Sequence, residues 1–383
     1  MSSPEAPSGA SPASRTRPGS FRVGRLAGVP IFISYSWIVV AVVIIYFFQA
    51  TISVRLPGLG NSRWVGAITF VLLFYASVFL HEAAHTLVAK AYGMKVLSIV
   101  LHFFGGFSEI EGESKSPWRS LAVAVAGPVV SIALGTVYFA YKPLEDSHPL
   151  LSLVLFQLGV SNLFVGLFNL LPGLPLDGGH ILEAFVWGIT GKRHVGMTVA
   201  GWSGRFFALV VIAVPLFAAV LSHRGSDFLV YLVWGFLLSG TLWVGATAGL
   251  QAARIRKVLP SLTARTLARP AIGVPSDLPL SEVVARATAA NVKAVVVLDH
   301  TGAPNGLVSE AALEAVPEER RPWVAVSSVT RQLEDGLLIN GELEGEDLLN
   351  RLSGVPAGEY LVVDKTNVVL GVLSARDVNA KLG

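Results

Sequence analysis

Six apolar runs dominate the sequence, at roughly residues 29–50, 65–92, 118–141, 149–171, 195–222 and 228–250. Each is long enough to cross a bilayer, which takes about 20 residues of helix. Wherever such a chain meets lipid its backbone polar groups must pair internally, so helices are the expected element. Only 14% of the 383 residues are charged, which excludes a water-facing globule over most of the length. The expectation is a polytopic α-helical membrane protein of about six transmembrane helices, embedded in the lipid bilayer of a cell membrane.

Charge divides the rest of the chain. Residues 1–25 are rich in Ser, Pro and Ala and carry Arg15, Arg17, Arg22 and Arg25 against Glu5, which reads as a disordered basic tail. Residues 26–257 form the six-span membrane domain, and residues 258–383 a soluble domain. Residues 1–257 hold 18 Lys+Arg and 10 Asp+Glu, a balance of +8; residues 258–383 hold 11 and 16, a balance of −5. With the N-terminus inside, the inner segments collect thirteen cations, from Arg15 to Lys257. The outer loops collect Arg55, Arg63, Lys142 and Arg224. The positive-inside rule then predicts cytoplasmic N- and C-termini. The acidic soluble part offers no nucleic-acid footprint. The usage of Ala, Gly and Arg points to a bacterium.

There are no cysteines, so disulfides, thiolate catalysis and Cys-ligated metals are excluded. Any metal must be held by His, Asp or Glu. The second run ends in Leu80-His81-Glu82-Ala83-Ala84-His85, an H-E-x-x-H pattern on an apolar helix. His81 and His85 share a helix face and can reach one zinc ion, with Glu82 beside them. An ionisable group at membrane depth costs several kcal/mol unless function repays it. A catalytic zinc takes a third protein ligand. The fourth run ends in Asn169-Leu170-Leu171-Pro172-Gly173-Leu174-Pro175-Leu176-Asp177-Gly178-Gly179-His180. Pro172 and Pro175 break the helix, and the glycine pair permits a sharp turn. Asp177 then either lines a polar cavity or caps a helix. If the N-terminus is inside, the second and fourth spans run the same way, and both motifs fall near the cytoplasmic face.

His81-Glu82-Ala83-Ala84-His85 and Asn169 to Gly178 together resemble the signature pair of the site-2 proteases, intramembrane zinc metalloproteases. Ala126-Gly127-Pro128 and Gly105-Gly106-Phe107 match further recurrent features of that family. The resemblance covers roughly residues 25–250. It implies that His81, His85 and Asp177 bind Zn2+, that Glu82 is the general base, and that Asn169 stands beside the reacting bond. It implies as partners single-span transmembrane proteins, such as membrane-tethered anti-sigma factors, cut in regulated intramembrane proteolysis. His180 is read as helping the turn, and the other histidines as non-catalytic. The segment Met94–Glu113 admits two readings: a hairpin dipping into the membrane, whose edge pairs with an unwound substrate strand, or a solvated connecting loop.

After Pro260 short apolar runs alternate with amphipathic segments. Val295-Val296-Val297-Leu298, a turn at Asp299-His300-Thr301-Gly302 and Gly306-Leu307-Val308-Ser309 recur about 65 residues later as Leu361-Val362-Val363, Asp364-Lys365-Thr366-Asn367 and Gly371-Val372-Leu373-Ser374. This α/β repeat resembles a pair of CBS domains, which accompany one bacterial and archaeal subgroup of these proteases. The resemblance implies an adenine nucleotide whose ribose Asp377 holds. The first copy lacks that acid. The other reading of the module is dimerisation, giving a homodimer, or docking. Beside the protease stand a CBS-regulated ion or metal transporter, since polar groups at membrane depth also mark ion pathways, and an inactive relative that only binds membrane partners.

Overall fold

The computed structural model describes residues 19–383 apart from 103–104, 112–113, 115, 141–147, 223–227, 309, 367 and 383. Residues 1–18 of the expected tail, with Lys115, Lys142, His223, Arg224, Ser309 and Asn367, lie outside the described residues. The chain forms two compact units, Met1–Ala253 and Arg254–Gly383.

The first unit runs β1 (Ser20–Leu26), β2 (Val29–Ser34), α1 (Tyr35–Arg55), α2 (Ser62–Ala91), β3 (Lys95–His102), β4 (Gly105–Glu111), α3 (Pro117–Ala140), α4 (Pro149–Asn169), α5 (Asp177–Thr190), α6 (Arg193–Ser222) and α7 (Phe228–Val258), the last continuing past the unit boundary. Six of these helices, all but α5, are long and apolar enough to cross a membrane. α5 has 14 residues, about 21 Å of helix, which falls short of the hydrocarbon core. Outward-facing apolar side chains such as Val54 and Phe236, 81% and 74% exposed, fit contact with lipid rather than water. The fifth span carries a cation at depth, Arg205. Its guanidinium lies 5.0 Å from the Trp202 ring and 4.9 Å from the Trp243 ring, and it donates to the Thr247 hydroxyl at 3.1 Å. Cation–π contact of this kind offsets part of the loss of water and ties α6 to α7.

Two expectations from composition need correction. Residues 20–25 belong to β1 rather than to a disordered tail, and residues 29–34 form β2 rather than the start of the first span. The run Val29-Pro30-Ile31-Phe32-Ile33 is β-branched and aromatic, and a short apolar run of that kind reads equally as strand or helix. Val29 and Phe32 turn into the core. Ser34 then starts α1, its hydroxyl accepting from the Ser36 amide at 3.4 Å.

The four strands form one sheet in the order β1-β2-β3-β4, with β1–β2 and β3–β4 antiparallel and β2–β3 parallel. Within residues 94–113, the described residues of β3 and β4 pair as an antiparallel hairpin. Val29, Ile99 and Leu101 of the sheet pack with Trp37, Tyr75, Val78 and Phe79, and the Trp37 and Tyr75 rings stack at 3.9 Å. The sheet is thereby fixed against α2 just ahead of His81.

The second unit is the expected α/β repeat. Its first copy is β5 (Ala271–Pro275), α9 (Leu280–Ala289), β6 (Ala294–Leu298), β7 (Pro304–Val308) and α10 (Glu310–Glu314), preceded by the short α8 (Ala264–Leu267). After β8 (Thr330–Gln332) the second copy follows as β9 (Leu338–Asn340), α11 (Gly345–Gly354), β10 (Glu359–Val363), β11 (Val369–Ser374) and α12 (Ala375–Leu382). Each copy pairs its first two strands in parallel and its last two antiparallel. The repeat extends to side chains. Asp299 Oδ1 accepts from the Thr301 amide and hydroxyl and the Ala303 amide, and Asp364 Oδ1 does the same with Thr366 and Val368. These bonds to the ionised form hold both exposed carboxyls below the usual carboxylate range. Val296 and Leu307 of the first copy share a core with Leu361, Val363 and Val372 of the second.

Candidate active site

Helix α2 carries His81, Glu82 and His85 on its inward side, each less than 9% exposed. The chain after α4 folds back through Pro172 and Pro175 and starts α5 with Asp177 as its first residue. The carboxylate does not cap that helix. It faces the histidines instead, with Oδ2 3.1 Å from His81 Nε2 and Oδ1 3.3 Å from His85 Nε2. The two Nε2 atoms stand 3.2 Å apart. Two motifs about 90 residues apart in sequence therefore meet in one cluster, the one group of potential metal ligands found among the described residues.

Helix α3 holds the rings in place. His85 Nδ1 donates to the Val123 carbonyl at 2.7 Å, and His81 Nδ1 lies 2.9 Å from the Ser131 hydroxyl. A carbonyl only accepts, so Nδ1 carries the proton on His85, and in the neutral ring the Nε2 lone pair points at the cluster. Gly127 sits midway between Val123 and Ser131 on the same face of α3. A Cβ there would overlap the Nε2 atoms of both histidines. These observations test whether zinc fits. Zinc takes His nitrogens at about 2.0–2.1 Å in a tetrahedron, whose corners are about 3.3 Å apart. The ligand atoms show separations of 3.1–3.3 Å. Two imidazole lone pairs and one carboxylate, with donors or a carbonyl fixing the far side of each ring, are the donor set that zinc requires. The residues fit the ion.

Glu82 lies beside this cluster but outside it. Its carboxylate accepts from the Gly106 amide of β4, and a Cβ at Gly106 would fall 2.5 Å from Glu82 Cγ. The glycine is thus required for close approach of the hairpin to Glu82. His81, Glu82 and Asp177 line a cavity of about 1140 Å³ together with apolar residues of α1, α2, α4 and α7, among them Phe48, Phe74, Phe168 and Trp234. Asn169, the last residue of α4, is half-buried on the wall of the same cavity.

The glycine pair after Asp177 does something other than the expected turn. Gly178 and Gly179 are helical, and Cβ atoms on them would overlap the Leu171 carbonyl and the Leu174 amide. What they provide is room for the incoming loop. His180 is half-exposed and reaches Glu183 Oε2 at 3.3 Å, away from the cluster. Glu183 is 2% exposed and also accepts from Arg193 Nε at 2.7 Å, joining α5 to α6. Burial acts to raise its pKa, but the bonds and charges of His180 and Arg193 outweigh it and hold the carboxyl below the usual range. In the second unit both oxygens of Asp377 are engaged at 2.6 Å by Arg269 Nε and Nη2.

Val123, Gly127, Ser131, Gly106 and Glu183 were not identified as functional from sequence, although Gly106 and Gly127 lie in quoted family segments. The signals available were those two segments and Ser131, a hydroxyl in an apolar run, four residues after Gly127.

The chain matches the model of peptidase family M50 over residues 69–144 and 143–214. A Synechocystis sp. protein named as a zinc metalloprotease is 30% identical over 94% of both chains. Rip3 of Mycobacterium tuberculosis, also named as a zinc metalloprotease, is 28% identical over 93% of this chain and 91% of its own. Among solved structures, the site-2 protease of Methanocaldococcus jannaschii is 28% identical and covers 60% of this chain and 95% of its own, with a TM-score of 0.41. The CBS domain of a bacterial CNNM/CorC family Mg2+ transporter is 17% identical, covering 38% of this chain and 93% of its own, with a TM-score of 0.29. A full-length relative at 30% identity, together with the family match over the metal cluster, settles the assignment: the chain belongs to peptidase family M50, the zinc metalloproteases of site-2 protease type.

Proposed function

We propose that this zinc metalloprotease is an intramembrane endopeptidase that cuts the transmembrane segments of single-span, membrane-tethered proteins, anti-sigma factors among them, in regulated intramembrane proteolysis. One observation carries this reading: His81, Glu82 and Asp177 line a large apolar cavity walled by helices long enough to cross a membrane, with His85 beside them in the metal cluster. His81, His85 and Asp177 hold the zinc. When bound, zinc supplies Lewis acidity, polarising a carbonyl oxygen and making water a stronger acid near neutral pH. Glu82 accepts the proton of the attacking water and passes it to the leaving amine. The Gly106 amide keeps its carboxylate aimed across the cavity. Asn169 donates its amide to the peptide bond under attack. Strand β4 pairs with β3 and ends the sheet order, so its other edge suits an unwound substrate segment adding as a strand.

The test is reconstitution of the full chain in vesicles with a single-span substrate. Cleavage should stop on chelation and return on adding zinc. Cleavage indifferent to chelation overturns the reading.

The termini are assigned to the cytoplasm. Because the chain has no cysteine, Asn61→Cys and Lys192→Cys give single labels in the exposed α1–α2 and α5–α6 connections. A membrane-impermeant maleimide should label position 61 in intact cells and position 192 after permeabilisation. The reverse pattern would place the termini outside. The C-terminal repeat is assigned a regulatory part through an adenine nucleotide or a homodimer. Arg269 on Asp377 must yield before that carboxylate can hold a ribose.

A further inference from the structure

Away from the metal cluster and Asn169, the side-chain hydroxyls of the cavity wall are committed. The Tyr75 hydroxyl donates to the Trp37 carbonyl at 2.7 Å. The hydroxyls of Thr51 and Thr241 turn back onto their own helices, to the Phe47 and Leu237 carbonyls at 3.3 and 2.8 Å. Gln157 differs. It is half-buried in the fourth span and lines the cavity. Among the described residues its side-chain amide makes one hydrogen bond, from Nε2 to the Ser161 hydroxyl at 3.5 Å, the outer limit of such a bond. An amide offers two donors and an acceptor with two lone pairs, so most of its capacity faces an apolar space. A polar side chain at membrane depth carries a cost and by default marks function.

Its place on the helix says what it meets. Gln157, Phe164, Val165, Phe168 and Asn169 all line the cavity from α4, a spacing that puts them on one helix face. About twelve residues separate Gln157 from Asn169, or about 18 Å along the axis. A substrate helix entering the cavity toward Asp177 therefore runs past Gln157 on its way.

We propose that Gln157 is a specificity-determining residue that selects substrate helices bearing a polar side chain, such as Asn, Ser or Gln, at one depth remote from the scissile bond. The proposal rests on the reading of the protein as a protease of transmembrane helices. In lipid, an amide facing a polar substrate side chain exchanges two unsatisfied groups for an interhelical hydrogen bond of roughly 0.6–2 kcal/mol. That corresponds to about a threefold to thirtyfold preference. Because the contact is far from the reacting atoms, the preference should appear in KM rather than kcat.

The experiment uses the full chain in vesicles and a poly-leucine single-span host carrying one Asn, moved a position at a time along the helix. Wild type should show a peak in kcat/KM, about threefold to thirtyfold above the Asn-free host, at one depth and its helical neighbours. In Gln157→Leu the ratio of the best Asn host to the Asn-free host should fall to about one, while Gln157→Asn should restore part of it. Zinc content measured on each variant verifies the fold. A flat profile in wild type, or the same peak in Gln157→Leu, overturns the proposal and leaves the protease reading intact. Absence of cleavage of every host by wild type defeats the protease reading itself.

Discussion

Glu82→Gln is expected to retain one zinc per chain and to lose about a hundredfold to ten-thousandfold in kcat/KM, the usual contribution of a positioned general base. The atoms placed to hold a metal belong to His81, His85 and Asp177, so on the proposed roles the amide removes the base without removing a ligand. Gln is close to Glu in volume and still offers an oxygen to the Gly106 amide. Loss should fall on kcat, because a base contributes in the transition state rather than to substrate binding. Cleavage within a few-fold of wild type would show that another group takes the proton. Loss of zinc would make Glu82 a ligand instead.

Gly127→Ala tests the metal site from the opposite helix. The added methyl would overlap both Nε2 atoms. The rings cannot swing aside cheaply, because their Nδ1 atoms are tied to Val123 and Ser131 of the same helix. Changes to the groups that position metal ligands cost about ten- to a hundredfold in affinity, and a methyl in the ligand space should cost at least the upper figure. Helix propensity acts the other way, since Ala is favoured over Gly by about 1 kcal/mol in a helix interior. The expected result is therefore a folded protein with little zinc, read by metal content after gel filtration and by thermal unfolding. A variant with full zinc and normal activity would contradict the packing of α3 against the cluster.

The six spans were legible because length and apolarity are properties of a continuous run, and His81, Glu82 and His85 because their chemistry is rare at membrane depth. Asp177 by itself could equally be a helix cap, and it was the family resemblance of the surrounding segment that marked it as a ligand. α3 was not legible as part of the site. It contributes a backbone carbonyl, a missing side chain and one hydroxyl, and the carbonyl carries no residue-type signature while a lone glycine or serine in an apolar run does not say what it faces. Val29–Ser34 was assigned to helix because a short apolar run has the same composition in either conformation. The repeat in the second unit was legible from its matched turns, where Asp299 and Asp364 make the same bonds. The engagement of Asp377 by Arg269, about 108 residues earlier in sequence, was not.

The central claim is hydrolysis of a peptide bond within an apolar segment. Mass spectrometry of the new termini released from a reconstituted single-span substrate tests it most directly. The account predicts one carboxyl terminus and one amino terminus inside the hydrophobic stretch, absent with Glu82→Gln. New termini confined to the water-exposed flanks of the substrate would contradict it.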